Sequence, residues 1–127
     1  MSSGTFATAI NCMDGRTQLP VIEWVKREHK VGYVDTITEP GPVRILAEAA
    51  DAAALESIRH RLIISITRHS STQVAIVAHA DCAGNPVDKE TQLRQLRVAA
   101  ATVHSWGLGV QLDPLWLGDD WQVERIG

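Results

Sequence analysis

Aromatic residues are scarce in this 127-residue chain: one Phe, one Tyr and four Trp. So few rings leave no platform on which bases could stack, and a formal net charge of -3 removes the basic footprint that nucleic acid requires. Long apolar runs are missing too. Residues 5–11 are too short and too mixed for a membrane span or the core of a secretory leader, and residues 1–4 carry no basic charge. Cysteine occurs twice. With no visible leader, two cysteines read as reduced thiols and not as a disulfide, which makes the cytoplasm the expected compartment. Metal binding or catalysis is then the work open to them.

The rest is ordinary for a globular chain, with 45% hydrophobic and 21% charged residues. The length suits one domain over residues 1–127, and no repeat, low-complexity tract or linker divides it. Residues 5–11 read as a short buried strand. Pro20 is expected to open a helix, with Leu19, Ile22 and Val25 on its apolar stripe and Gly32 as a stop signal. The β-branched run "VGYVDTIT" at 31–38 predicts a second strand, ended by "EPGP" at 39–42. Residues 45–50 predict a short helix interrupted near Asp51, and Ile58, Leu62, Ile63 and Ile66 recur at helical spacing.

"QVAIVA" at 73–78 predicts a strand covered on both faces. Asp88 can cap a helix whose inner face carries Leu93, Leu96, Ala100 and Val103, and Gly107 and Gly109 end it. The tail predicts a strand, a Gly-Asp-Asp turn and another short strand. This alternation predicts an α/β fold: a mainly parallel central sheet of four to five strands flanked by helices, with right-handed crossovers.

Both cysteines then fall at strand ends. Cys12 follows the first strand, and His79 and Cys82 follow the third. In an open α/β sheet ligands gather at the carboxyl ends of the strands, and adjacent strands lie about 5 Å apart. If strands one and three are neighbours, Cys12, His79 and Cys82 converge. Two thiolates and an imidazole suit Zn2+ and leave a fourth position open. Asp14 is able to fill that position, or to be held off the metal by Arg16, whose guanidinium pairs a carboxylate through two bonds if the segment is extended.

Each residue alone has a plainer explanation. A single buried cysteine packs as a small hydrophobe, a lone His79 is a hydrogen-bonded structural residue, and an exposed Asp–Arg pair is worth little. Asp81 reads as a solvated loop residue ahead of the alternative, an outer partner of the metal site. The Pro-Gly-Pro segment reads as a turn ahead of a rigid loop lining the pocket at a strand's end. His29, His60, His69 and His104 read as helix-face or helix-end residues, and Trp106, Trp116 and Trp121 as packing residues, across a subunit interface in one version.

Taken together, "CMDGR" at 12–16 and "HADC" at 79–82 resemble the Cys-x-Asp-x-Arg and His-x-x-Cys zinc signature of the β-class carbonic anhydrases. The likeness runs from about residue 7 to residue 105. The loop after the second strand, "TITEPGPVR", and the surround of the His-x-x-Cys motif (Ala78, Ala83, Gly84) depart from the usual pattern. Those departures place the chain with the compact, divergent branch labelled "putative carbonic anhydrase". The resemblance implies Zn2+ held by Cys12, His79 and Cys82, with Asp14 and Arg16 as the catalytic dyad. It implies a lyase (carbonate dehydratase) hydrating carbon dioxide to bicarbonate through a metal-bound hydroxide, in a homodimer or higher homo-oligomer. Two alternatives stay open: a zinc hydrolase of carbonyl sulfide or carbon disulfide on the same scaffold, and a non-catalytic zinc-binding member. Two thiolates cancel the metal's double charge, so activity is expected to rise through the alkaline range.

Overall fold

A computed structural model describes residues 4–127; the stretch 1–3, on which the expectation of no leader partly rests, lies outside the described residues. Five strands form one sheet: β1 (Phe6–Cys12), β2 (Tyr33–Glu39), β3 (Gln73–His79), β4 (Gln111–Leu117) and β5 (Val123–Arg125). Their order is β2-β1-β3-β4-β5; the first four are parallel and β5 returns antiparallel to β4. Four helices flank the sheet: α1 (Gly15–His29), α2 (Pro42–Glu48), α3 (Ala52–His69) and α4 (Lys89–Ser105). The fold is the expected α/β class.

β1 and β3 are central and their side chains are buried almost throughout, as a strand covered on both faces requires. One layer joins Ile10, Ile37 and Ile76 to the inner faces of α2, α3 and α4, through Leu46, Leu62, Leu96 and their neighbours. The other layer sets Val21 and Val25 of α1 against Ala7, Ala9, Ala75 and Val77. Small side chains on that face let α1 approach closely.

The start of α1 differs from the expectation. The helix opens at Gly15, not at Pro20, because Asp14 caps it: its side chain accepts from the backbone N–H of Arg16, and its carbonyl accepts from that of Thr17. Pro20 therefore lies in the second turn, where its missing N–H leaves the Arg16 carbonyl without its helical donor. The earlier start carries a different stripe. Thr17, Val21 and Val25 face the sheet, and Leu19, half a turn round from Thr17 and Val21, is 68% exposed. Asp14 and Arg16 thus sit on a helix N-terminus and not on an extended segment.

Elsewhere the punctuation behaves locally. Asp51 and Asp88 cap α3 and α4 through the N–H groups of Ala54 and Thr91. Gly41, at φ 66°, caps α2 and lets Pro42 begin it, so the Pro-Gly-Pro segment is a strand-to-helix corner. On α4 the buried positions are Gln92, Leu96, Ala99 and Val103, with Leu93 and Ala100 at the margin. On α3 Ile58, Leu62 and Ser65 are buried, and Ile66 packs at the edge of the core.

Candidate metal centre

Because β1 and β3 are hydrogen-bonded neighbours, with Ile10 beside Ile76, their carboxyl ends lie together. Cys12 is the last residue of β1 and His79 the last of β3. The chain then turns at Asp81, in the left-handed region at φ 54°, and brings Cys82 back over the strand ends. One ligand atom each from Cys12, His79 and Cys82 lies within 4.8 Å of the others, and all three residues are buried. The two Sγ atoms are 3.9 Å apart and unbonded.

His79 is oriented from both sides. Its Nδ1 donates to the Ala80 carbonyl at 2.7 Å, which places the ring's lone pair on Nε2. Its own carbonyl accepts from Nε2 of Gln92, a buried amide on the inner face of α4, at 2.7 Å. His79 Nε2 is buried and has no hydrogen-bond partner. An orphaned buried acceptor costs about 1–3 kcal/mol. Metal coordination would remove that cost. Tetrahedral zinc with Zn–S bonds of about 2.3 Å needs sulfurs about 3.8 Å apart, close to the separation present. The donor set and its spacing fit a zinc ion.

The two thiols are not equivalent. Burial alone would raise Cys12, but the His79 ring and the backbone N–H groups of Gly41 and Asp14 outweigh it and bring the thiol down to about 7. Burial and the nearby Cys12 push Cys82 up to about 11, against the backbone N–H groups of Gly84 and Asn85. His79 is raised: burial opposes its protonation, and the Cys12 sulfur and the Ala80 carbonyl favour it more strongly. Without metal, then, Cys12 ionises before Cys82, beside an imidazole whose basicity is raised.

Asp14 stands beside this set but is not one of it. Arg16 occupies its carboxylate: the backbone N–H and Nε of Arg16 reach Oδ1 at 2.9 and 3.1 Å, and Nη2 reaches Oδ2 at 2.7 Å. Arg16 holds the Asp14 carboxyl down at about 2. Of roughly four lone-pair sites on a carboxylate, Arg16 fills two on Oδ1 and one on Oδ2. One acceptor position on Oδ2 is left.

Three features that the sequence left as loop or packing belong to this site. Asp81 is 80% exposed, yet its Oδ2 and carbonyl accept from Nη1 and Nη2 of Arg16 at 3.2 and 3.1 Å. The Pro-Gly-Pro corner touches the metal set through the Gly41 N–H; a Cβ on Gly84 would lie 2.5 Å from the Pro40 carbonyl carbon, so the two loops meet backbone to backbone. Trp121 is not a mere packing residue. Its ring centroid lies 4.4 Å from the Arg16 guanidinium carbon and 5.9 Å from the His79 ring. It holds φ 56°, strain on the order of 1–3 kcal/mol for a bulky residue. Only Gln92 left a readable trace, as a polar residue one turn before Leu96 on an apolar stripe.

A family model described as "Putative carbonic anhydrase" matches residues 2–127. No curated protein matches the chain by sequence. Among solved structures it is similar to a carbonic anhydrase from Glaciozyma antarctica, with 14% identity and a TM-score of 0.60 over 95% of this chain and 81% of that one. It is also similar to the β-carbonic anhydrase CafA of Aspergillus fumigatus, with 14% identity and a TM-score of 0.51 over 97% and 76%. Tetrameric β-carbonic anhydrases from Sordaria macrospora give 9% identity and a TM-score of 0.54 over 98% and 81%. At these identities the likeness is one of fold.

Proposed function

The chain belongs to the family described as "Putative carbonic anhydrase", and on that premise we propose that it catalyses the zinc-dependent, reversible hydration of carbon dioxide to bicarbonate. The observation that carries this most directly is the unpartnered Nε2 of His79, buried between two thiols at metal-ligand spacing. Cys12, His79 and Cys82 would hold the ion. Zinc bound there supplies a Lewis acid that acidifies water for attack on carbon dioxide.

The chain's own groups do the rest. Asp14, ionised down to about pH 2, is too weak a base to store the released proton, which passes to solvent and buffer. Its contribution is orientation: the free position on Oδ2 accepts one hydrogen of the reacting water and fixes where its oxygen lone pair points. Arg16 keeps that carboxylate from swinging onto the metal. The thiolates of Cys12 and Cys82 would neutralise the formal charge of a zinc ion held there, so the hydration rate is expected to rise through the alkaline range.

Stopped-flow hydration by the zinc-loaded protein tests this, with sulfide release from carbonyl sulfide and carbon disulfide measured on the same preparation. Hydration at alkaline pH is expected, falling roughly 10–100-fold in Asp14→Ala, the range for losing one hydrogen-bonding partner of a metal site. Sulfide release without hydration would reassign the substrate. Inactivity in both assays would leave a zinc-binding protein, and a gain in Asp14→Ala would identify Asp14 as a fourth ligand. We also propose that the chain is a homo-oligomer and that it works in the cytoplasm, a reading supported by two unpaired thiols. Sedimentation velocity and fractionation check those two points.

A further inference from the structure

The C-terminal hairpin carries a residue that neither the zinc signature nor its spacing explains. Beyond β4 the chain turns at Gly-Asp-Asp-Trp; the Trp121 N–H bonds back to the Gly118 carbonyl at 3.0 Å, and Asp120 Oδ1 accepts from the Gln122 N–H at 3.0 Å. This turn holds Trp121 in the left-handed region, where a bulky side chain is rarely found. The conformation delivers the indole to the end of the sheet that bears the metal set.

Arg16 shows what the indole does there. Its donors lie in the guanidinium plane, and four of the five are directed at carboxylate or carbonyl oxygens of Asp14 and Asp81. Its side chain is still 47% exposed, and Asp81 is a solvated partner whose pull on Arg16 is weak. In-plane bonds do not stop the guanidinium from tilting or from exchanging its partners for water. The guanidinium carbon lies over the Trp121 ring, 4.4 Å from its centroid, and the π cloud attracts the cation independently of those bonds. The same ring lies near His79 and packs with its apolar body against the α1 side of the sheet.

We propose that Trp121 is a positioning residue: its indole stacks on Arg16 and thereby fixes the Asp14 carboxylate for the reaction. The inference rests on the hydratase reading for its kinetic arm alone. The rare backbone conformation is the cost of bringing a ring from the hairpin to the guanidinium face, and it ties the C-terminal hairpin to the site.

Trp121→Leu keeps apolar bulk and removes the π face; Trp121→Phe keeps a ring. In the zinc-loaded protein, nitrogen relaxation and hydrogen exchange at Arg16 Nε–H should show an ordered group in the wild type and in Trp121→Phe. Exchange roughly tenfold faster is expected in Trp121→Leu, with kcat about tenfold lower and KM within about twofold. Trp121→Phe should retain kcat to within about threefold. An Arg16 side chain equally ordered in Trp121→Leu overturns the proposal, whatever happens to kcat. If the wild type hydrates nothing, the hydratase reading fails, and Arg16 order still decides the positioning role. Should Trp121→Leu not fold, the Arg16 side-chain protons of the wild type decide: an upfield ring-current shift is expected, and its absence overturns the stacking.

Discussion

The two ends of the central sheet treat buried polar groups differently. At the amino end, Thr8 Oγ1 lies 2.6 Å from Ser65 Oγ and 2.7 Å from Ser71 Oγ; Ser65 donates to Asp35 at 2.7 Å, and His69 Nδ1 reaches the same carboxylate oxygen at 2.6 Å. Each hydroxyl has a partner and the chain of bonds ends on a charge. At the carboxyl end, His79 is as deeply buried as Thr8, yet its Nε2 faces two thiols with no bond made. The one other orphaned buried side-chain atom among the described residues, Asn85 Oδ1, belongs to the loop that supports Cys82. A satisfied network needs nothing further and serves stability. An unsatisfied one carries a cost that a ligand removes, and it lies at the end of the sheet on which the proposed metal site rests.

The largest effect that would sharpen this contrast is loss of a metal-binding residue. Cys82→Ser or His79→Ala should reduce bound zinc, by elemental analysis, to background, and cut hydration by more than the roughly 10–100-fold expected for an outer partner. Zinc should raise the thermal midpoint of the wild type and leave that of the variants unmoved. Stoichiometric zinc in either variant would break the comparison. At the amino end, Ser65→Ala should cost about 1–3 kcal/mol in denaturant unfolding, since it leaves Thr8 and Asp35 short of a partner, while zinc content stays unchanged. Zinc loss there would mean that the two ends are not independent.

The smallest effect is a pH dependence in the metal-free protein. Cys12 at about 7 lies below its ordinary 9.0, so the folded chain sheds that proton first and this thiol's contribution to stability grows with pH from about 7 to 9. The raised His79 loses its own contribution as pH climbs above 6.5 and offsets part of the gain. Cys82 at about 11 lies above the same value, so stability falls again from about 9 to 11. A maximum near 9 is expected in chemical denaturation, with ultraviolet thiolate absorbance growing in two separate steps. Zinc should abolish both steps, because a coordinated thiol is already deprotonated.

The strands and most helix ends were legible in the sequence, because each depends on neighbours a few residues away. The apolar run at 73–78, the break near Asp51, the cap at Asp88 and the closing hairpin are of this kind. The start of α1 was not. Pro20 is a valid opening signal, but Asp14 competes for the same role, and only packing of Thr17, Val21 and Val25 against β1 and β3 chooses between them. The inward Cys and His residues could be singled out by type and placement at strand ends. Asp81 and the Pro-Gly-Pro loop could be named only as the lesser of two readings, and Trp121 and the Gly41–Gly84 contact not at all, since no local pattern reports which loops meet.

From the chain alone came the alternation of strands and helices, and the identity of the residues able to bind zinc, since propensity, capping and ligand chemistry are properties of short stretches. Tertiary structure alone decided that β1 lies beside β3, that Asp81 joins Asp14 on Arg16, and that an indole from the last hairpin lies against that guanidinium. Those are contacts between segments up to 105 positions apart in the numbering (residue 16 to residue 121), and they are settled by the burial of two apolar layers, which no single segment encodes.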